Sequence, residues 1–279
     1  MTETTVLISR SVTAEREKRA FEDALAELSA KAGLAVSLIP HVYHLAENDA
    51  LWQELSGLHG VIVCLAWLHP RPTEWILRRH GLGGVAQSAV LTFDMGAYAR
   101  PEECLRAVTA EVPASASAAA ITEHTGKIGE RWHPVVDYSR CVNCKQCMEF
   151  CLFGVYELDD AGKVTARDPD KCKPGCPACS RICPRGAIMF PLHDDPAIAG
   201  APGELMTADP TLKAMFYLKT KKTCPICGRT HRALLAAAAN PPKGAPVCAE
   251  CGMPLEDNKP DGAAPDDLDL LIDDLEKLR

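Results

Sequence analysis

The sequence predicts an α/β fold with a parallel sheet, followed by smaller α+β regions that are rich in cysteine. Two observations predict this. In residues 1–113, four apolar runs alternate with four helical patterns, and downstream of residue 140 twelve of the fourteen cysteines fall into tight groups. Strands that alternate with helices are typical of a parallel sheet covered by helices on both faces.

The elements of the predicted α/β domain, residues 1–113, follow from hydrophobic periodicity. The predicted strands are 5–9, 35–39, 61–65 and 89–93, and the predicted helices are 14–32, 46–57, 72–80 and 101–111. In the first helix, Phe21, Leu25 and Leu28 keep the 3.6-residue period of a face that packs on a sheet. Gly33 stands where this helix is expected to end.

The loops after the predicted strands are where an open parallel sheet binds ligands. These loops hold residues 9–11, 41–44, 67–69 and 94–95. The arrangement distantly resembles the chelatase-like α/β domains that handle tetrapyrroles. We expect the loop histidines His41, His44 and His69 to be solvated rather than to be ligands. The sequence contains no glycine-rich nucleotide motif, so it gives no support for a dinucleotide or a P-loop nucleotide.

A linker is predicted at residues 114–134, because residues 113–120 read PASASAAA. A cysteine-rich domain follows at 135–192, then a short helix near 212–218 within a second cysteine module at 210–256. An acidic amphipathic helix is predicted at 261–279, with a stripe of Leu268, Leu271, Ile272, Leu275 and Leu278. This helix packs either on its own protein or in the groove of a partner.

Composition and charge exclude several classes of protein. With 279 residues and 47% hydrophobic content, the chain can bury a core, so cysteines are not needed to replace packing. The net charge is −7, mostly in residues 256–279, and scattered basic residues predict no nucleic-acid partner. Neither a membrane span nor a secretory signal is predicted, so we expect a cytoplasmic protein. In that compartment the grouped cysteines are expected to bind metal, and Cys64 and Cys104 to be buried small hydrophobes.

Eight cysteines between residues 141 and 183 form two similar motifs. The first, C-x2-C-x2-C-x3-C, consists of Cys141, Cys144, Cys147 and Cys151; the second, C-x3-C-x2-C-x3-C, consists of Cys172, Cys176, Cys179 and Cys183, with Pro184 after it. Each continues to a glycine and an apolar residue, which indicates an internal duplication. The two motifs resemble the bacterial ferredoxin that binds two [4Fe-4S] clusters.

The resemblance implies that each motif gives its last cysteine to the other cluster. Cluster one would take Cys141, Cys144, Cys147 and Cys183, and cluster two would take Cys172, Cys176, Cys179 and Cys151. The sequence departs from the family by one extra residue between Cys172 and Cys176. The alternative is a pair of zinc sites, which the pattern disfavours because zinc knuckles need no reciprocal fourth ligand.

The second module contains two C-x2-C-G knuckles, 20 residues apart. Its cysteines are Cys224, Cys227, Cys248 and Cys251. This pattern predicts a zinc ribbon with four sulfur ligands. Rubredoxin has a similar pattern and holds a redox iron, but its site is usually surrounded by aromatic side chains, and residues 228–247 contain none.

Taken together, these patterns predict an electron-transfer protein that relays single electrons through two [4Fe-4S] clusters to or from partner redox proteins. Two alternatives stay open. One is an enzyme whose α/β domain binds and reduces a small molecule with electrons from its own clusters. The other is an interaction subunit that uses the zinc ribbon and the acidic helix, which is also the helix expected to dock on a partner.

Overall fold

The computed structural model describes residues 4–13, 15–83, 88–112, 119–220, 223–224, 228 and 248. Residues 1–207 form one compact unit, and the residues from 208 onward form a second. Each unit is described by itself.

The first unit begins with a five-stranded parallel sheet in the order β4-β3-β1-β2-β5. Its strands are β1 (Thr4–Ser9), β2 (Ala35–Ile39), β3 (Gly60–Ala66), β4 (Ser88–Asp94) and β5 (Ile121–Glu123), and its helices are α1 (Arg16–Lys31), α2 (Ala50–Ser56), α3 (Pro70–Arg79) and α4 (Pro101–Glu111). The predicted parallel α/β sheet is therefore confirmed.

The helix ends follow local sequence signals. The Asp49 side chain accepts a hydrogen bond from the amide of Leu51 and caps α2, while α3 and α4 each begin with a proline. Gly33 has a φ of +78° just after α1, the left-handed conformation expected where a helix ends.

The sheet is buried on both faces, because successive residues of its central strands enter two different cores. Leu7 and Ile62 lie in one core, and Val6 and Val63 in the other. Cys64 and Cys104 are fully buried, which confirms them as small core residues.

Strand β5 differs from the linker predicted over residues 114–134. It pairs with β2, and its flanks extend the pairing: Val36 N–H donates to Ala120 at 3.1 Å and His124 N–H donates to Leu38 at 2.8 Å. The physical reason is that the edge of β2 would otherwise leave its backbone groups unpaired. A strand of three residues has too little periodicity to be recognised in a sequence.

The rest of the first unit is built from very short elements. They are α5 (Gln146–Phe150), α6 (Ala178–Ile182), α7 (Pro196–Ala199) and the antiparallel pairs β6–β9 (Val135–Val136 with Ile188–Met189) and β7–β8 (Glu157–Leu158 with Val164–Thr165). Their small core contains Val155, Tyr156 and Phe190 together with Cys179. The two motif helices, α5 and α6, each end at the last cysteine of a motif.

In the second unit, α8 (Pro210–Thr220) confirms the helix predicted near 212–218. The Asp209 carboxylate caps it by accepting from the amides of Thr211 and Leu212. The helix predicted at 261–279 lies outside the described residues.

Among the residues that the structure describes, no helix is long and apolar enough to cross a membrane.

Candidate metal centres

Four cysteines from both motifs meet at one pocket. Cys141, Cys144 and Cys147 line it together with Cys183, which lies 36 residues further along the chain. The other side chains of this pocket are mainly apolar, among them Val136, Tyr156 and Ile188. The structure thus brings together the four residues predicted for cluster one.

The loop that carries Cys141 and Cys144 is held in a strained conformation. Asn143 and Lys145 both have positive φ, +56° and +64°, which is uncommon for residues other than glycine. The Asn143 side chain offsets this strain, because it accepts from the amide of Val164 at 2.8 Å and donates to the carbonyl of Gly162 at 2.9 Å. Strand β8 therefore fixes the turn on which the thiols stand.

The other four cysteines form a second set. Burial raises the pKa of Cys172 to about 12, and the neighbouring Cys176 and Cys151 thiols add to this effect. Burial also raises the pKa of Cys179, which again has Cys172 and Cys151 close by. Cys151 of the first motif thus lies near Cys172 and Cys179 of the second, two of the three cysteines predicted to share cluster two with it.

Both thiol sets fit an iron–sulfur cluster chemically. Burial and the Cys183, Cys144 and Cys141 thiols raise the pKa of Cys147, so such a group would not ionise without a cationic centre to neutralise it. The buried hydroxyl of Tyr156 has no oxygen or nitrogen acceptor within the described residues and lies beside Cys179. The Tyr156 hydroxyl is therefore placed to donate a hydrogen bond to sulfur.

In the second cysteine module, the described residues include two of the four predicted ligands. The sulfurs of Cys224 and Cys248 are buried and lie 3.8 Å apart. Gly228 has a φ of +69°, and its amide donates to the carbonyl of Cys224 at 2.9 Å. Cys227 and Cys251 lie outside the described residues. Within the described residues, no three His, Cys, Asp or Glu side chains converge on the position of a single metal ion.

The loop histidines of the α/β domain were expected to be solvated, and for His41 and His44 this is wrong. Both are buried, their rings are 4.8 Å apart, and burial lowers the pKa of His41 to about 3. They are buried because residues 128–133 cover this end of the sheet; His44 Nδ1, for example, lies 2.8 Å from the carbonyl of Gly129. His69 is partly exposed and lies 3.2 Å from Asp94.

A buried carboxylate that the sequence analysis missed fills the crevice between β1 and β3. Glu22 is fully buried and accepts from the Ser11 amide at 2.6 Å, from Trp67 Nε1 at 2.9 Å, and from Arg10 and Arg19 at 3.2 Å. This is the position where a doubly wound sheet usually admits a ligand. The signal in the sequence was a glutamate on the inner stripe of α1, next to Phe21.

Arginines from the α/β domain contact the cysteine-rich part, and these too were missed. Arg71 donates to the Asp137 carboxylate at 2.8 Å and to the carbonyl of Gly186 at 2.5 Å. Arg79 donates to the carbonyl of Ala166 at 2.7 Å. Burial alone would raise the pKa of Asp137, but hydrogen bonds from Ser139 and Arg71 hold it below its ordinary value.

Residues from the predicted linker strengthen the same junction. Arg131 pairs with Asp170 at 2.6 Å and with Glu47 at 3.0 Å. The Tyr43 hydroxyl donates to the carbonyl of His133 at 2.8 Å, and the two rings stack with centroids 4.2 Å apart. The α/β sheet and the cysteine loops are therefore joined by directional contacts on several elements.

The short helices and grouped cysteines fit a ferredoxin-like domain, and comparison with known proteins supports this class. An uncharacterized ferredoxin of Methanocaldococcus jannaschii is 46% identical over 61 residues, 22% of this chain and 41% of the relative. Pyruvate synthase subunit PorD of the same organism is 39% identical over 57 residues, 20% of this chain and 64% of the relative. In both cases the match spans less than two thirds of the relative. No family model and no solved structure matches the chain.

Proposed function

We propose that this chain is an electron-transfer protein that binds two [4Fe-4S] clusters and passes single electrons to or from a partner oxidoreductase. The observation that carries the proposal is the grouping of the cysteines: Cys183 lines one pocket with Cys141, Cys144 and Cys147, and Cys151 lies near Cys172 and Cys179. The 46% identity to a ferredoxin supports the same chemistry.

In this proposal Cys141, Cys144, Cys147 and Cys183 hold cluster one, and Cys172, Cys176, Cys179 and Cys151 hold cluster two. When bound, such clusters supply one-electron redox chemistry. The protein shields Cys179, which is 8% exposed, from water, whereas Cys144 is exposed. It also provides an amide donor, since the Ala187 amide lies 3.3 Å from Cys183 Sγ. Both factors tune the reduction potential.

Cysteines of both thiol sets pack against the same small core, which supports a relay. Tyr156 is 5% exposed and lies in the small core that contains Cys179, against which Cys147 of the first set and Cys151 of the second also pack. The Tyr156 side chain thus lies near thiols of both sets. An electron that arrives at one cluster would have a short path to the other.

The partner is proposed to be a larger redox enzyme. PorD is by its name a subunit of pyruvate synthase, which shows that one similar protein works within an oxidoreductase. In the present chain, the α/β domain lies against the cysteine loops and presents a large additional surface. We propose that this domain fixes which protein docks. A small-molecule role is less favoured because the crevice at the carboxyl ends of its strands, where a ligand would bind, is already occupied by Glu22.

Metal and sulfide analysis of anaerobically purified protein tests the proposal. We expect about eight irons and eight sulfides per chain, the content of two cubanes. The reduced protein should show the EPR signal of two interacting clusters. A count near four would remove one cluster from the proposal, and the absence of iron and sulfide would end it.

The ligand assignment is tested by comparing Cys183→Ala with Cys176→Ala. The first substitution should damage the cluster held by Cys141, Cys144 and Cys147, and the second should damage the other cluster. Cysteine β-proton resonances shifted by the clusters would show which set has lost its iron. If Cys183→Ala disturbs the resonances of Cys176 and Cys179 first, the reciprocal ligation is wrong.

We also propose that Cys224, Cys227, Cys248 and Cys251 bind one structural zinc. A Zn–S distance of about 2.3 Å in a tetrahedral site places sulfurs about 3.8 Å apart, and the Cys224 and Cys248 sulfurs have this separation. One zinc per chain should survive oxidation of the protein, because Zn²⁺ has no redox chemistry. Iron with a visible ferric-thiolate absorption in this module would instead support a rubredoxin-like centre.

A further inference from the structure

A peptide group beside Cys183 connects the α/β domain to the first thiol set. The carbonyl of Gly186 and the amide of Ala187 belong to the same peptide group. Arg71 donates to this carbonyl at 2.5 Å, and the amide donates to Cys183 Sγ at 3.3 Å. A guanidinium on the oxygen end of a peptide makes its N–H a stronger donor, since successive hydrogen bonds polarise one another.

The surroundings hold this peptide group in place and keep water away from it. Ala187 is 1% exposed. Gly186 has a φ of +55°, and a Cβ at this position would lie 2.6 Å from Leu205 and 2.7 Å from the carbonyl of Met206. Because the backbone is packed this closely, the hydrogen bond to sulfur acts in a dry and fixed geometry, where electrostatic effects are strongest.

The position of Arg71 is not explained by helix stability. It lies in the first turn of α3, where a cation is unfavourable because the helix dipole is positive at that end. Asp137 offsets this cost through a contact at 2.8 Å, and the second donor of Arg71 is then free to reach Gly186. A planar guanidinium that is always charged can hold both acceptors at once.

The internal duplication provides a comparison within the same chain. Gly154 follows Cys151 by three residues, as Gly186 follows Cys183. Gly154 also has positive φ, +69°, but nothing lies within 4 Å of a Cβ built there. Within the described residues no arginine donates to its carbonyl. The contact from the α/β domain therefore distinguishes one thiol set from the other.

We propose that Arg71 is a positioning residue that raises the reduction potential of the cluster bound at Cys183, by polarising the Gly186–Ala187 peptide group. This inference rests on the proposed function, because it requires two bound clusters. Its consequence is that the α/β domain makes the two clusters unequal, so that an electron in the reduced protein resides on the cluster nearest Arg71.

The test uses the full-length protein and three variants. Arg71→Met removes the guanidinium, and Arg71→Met combined with Asp137→Asn removes it without a change in net charge. Arg79→Met is the matched control, because Arg79 also lies on α3 and donates across the same junction, but its acceptor Ala166 does not line the first pocket. The potential of each cluster is read from its own shifted cysteine β-proton resonances at a series of poised potentials.

We expect the double variant to lower the equilibrium constant for reduction of the first cluster about tenfold, which is about 59 mV for one electron. Arg71→Met alone should lower it further, since Asp137 then keeps its negative charge with only the more distant Arg140, at 3.6 Å, as a cationic partner. The reduction potential of the second cluster should change less than that of the first. Arg79→Met should leave the difference between the two reduction potentials as it is in the parent protein.

An unchanged first potential in the double variant would overturn the inference, and so would an equal shift of both clusters. If the methionine variants hold fewer than eight irons, Arg71→Gln decides the question, because it keeps an N–H donor but no charge. A fall in the first potential then supports the inference, and no fall rejects it. Parent protein without iron would instead contradict the proposed function itself.

Discussion

The α/β domain and the ferredoxin-like domain lie side by side in one compact unit but are stabilised in different ways. The central strands β1 and β3 have six and seven residues and place side chains in cores on both faces of the sheet. In the ferredoxin-like domain every strand has two residues, and the motif helices have five. Such short elements bury little apolar surface, so we expect the proposed metal bonds to contribute what packing does not.

The difference also shows in what a cysteine does in each domain. Cys64 lies inside β3, is fully buried, and burial raises its pKa to about 12, so it is an inert apolar residue. Cys179 is almost as buried but lies among other thiols. Burial therefore does not separate core cysteines from candidate ligands; the presence of neighbouring thiols does.

The largest expected effect comes from removing iron. If metal bonds hold the ferredoxin-like domain, anaerobic chelation should cause residues 135–192 to lose amide protection while the amides of β1 and β3 stay protected. Hydrogen exchange followed by mass spectrometry would measure both. Retained protection at α5 and α6 in iron-free protein would show that this domain folds by packing alone, and the contrast would fail.

A core substitution in the α/β domain should lower stability without loss of iron, the opposite of what chelation is expected to do. Leu7→Ala removes a fully buried side chain from β1 and should lower the free energy of unfolding by about 3 kcal/mol, from lost burial and the cavity left behind. Iron content should stay near eight. The control is Leu152→Ala, since Leu152 is 78% exposed and its loss should change stability by less than about 0.5 kcal/mol. Urea unfolding measures both variants.

Acid should weaken the α/β domain through its buried histidines. Burial lowers the pKa of His80 to about 4, against the opposing effect of Glu47 and with support from Arg79 and Arg131. The unfolded state therefore binds a proton that the folded state does not, and the stability present above pH 6.5 is lost as the pH falls from about 6.5 to 4.

The ring centroids of His80 and Trp52 lie 3.8 Å apart, and His80→Phe keeps an aromatic ring stacked on Trp52. Between about pH 6.5 and 4, the substitution should reduce the slope of the unfolding free energy against pH by about 1.4 kcal/mol per pH unit, the value for one proton. Urea unfolding between pH 5 and 7, followed by circular dichroism, would measure the slopes. Parallel slopes for the two proteins would mean that folding does not lower the pKa of His80, which would contradict the prediction.

The smallest expected effect is that of Cys64→Ala. This substitution shortens a core side chain to a methyl group and should lower the free energy of unfolding by about 1 kcal/mol. Iron and sulfide content should stay unchanged. Cys179→Ala, the matched substitution in the other domain, should lose iron. If Cys64→Ala also lost iron, the two domains would share a metal-binding role that their contacts do not indicate.

Most of the sheet could be predicted from sequence because its strands are long and apolar; β2 has the predicted limits of 35–39. Strand β5 could not, since it owes its conformation to the edge of β2 rather than to its own residues. The resemblance to bacterial ferredoxins implied that Cys183 joins the first motif. The contacts of Arg71 and Glu22 were missed because a charged residue on a helix reveals no partner until the chain is folded.

The late position of β5 has a consequence for how the protein is made. The sheet is complete once residue 123 has left the ribosome, and about 60 residues separate it from Cys183. At 5–20 residues per second, synthesis of that stretch takes roughly 3–12 s, whereas mixed α/β domains commonly fold in well under a second. We therefore expect helix α3, which carries Arg71 and Arg79, to be packed on the sheet before Cys183 has left the ribosome, so that the cysteine loops fold against a surface that is already formed.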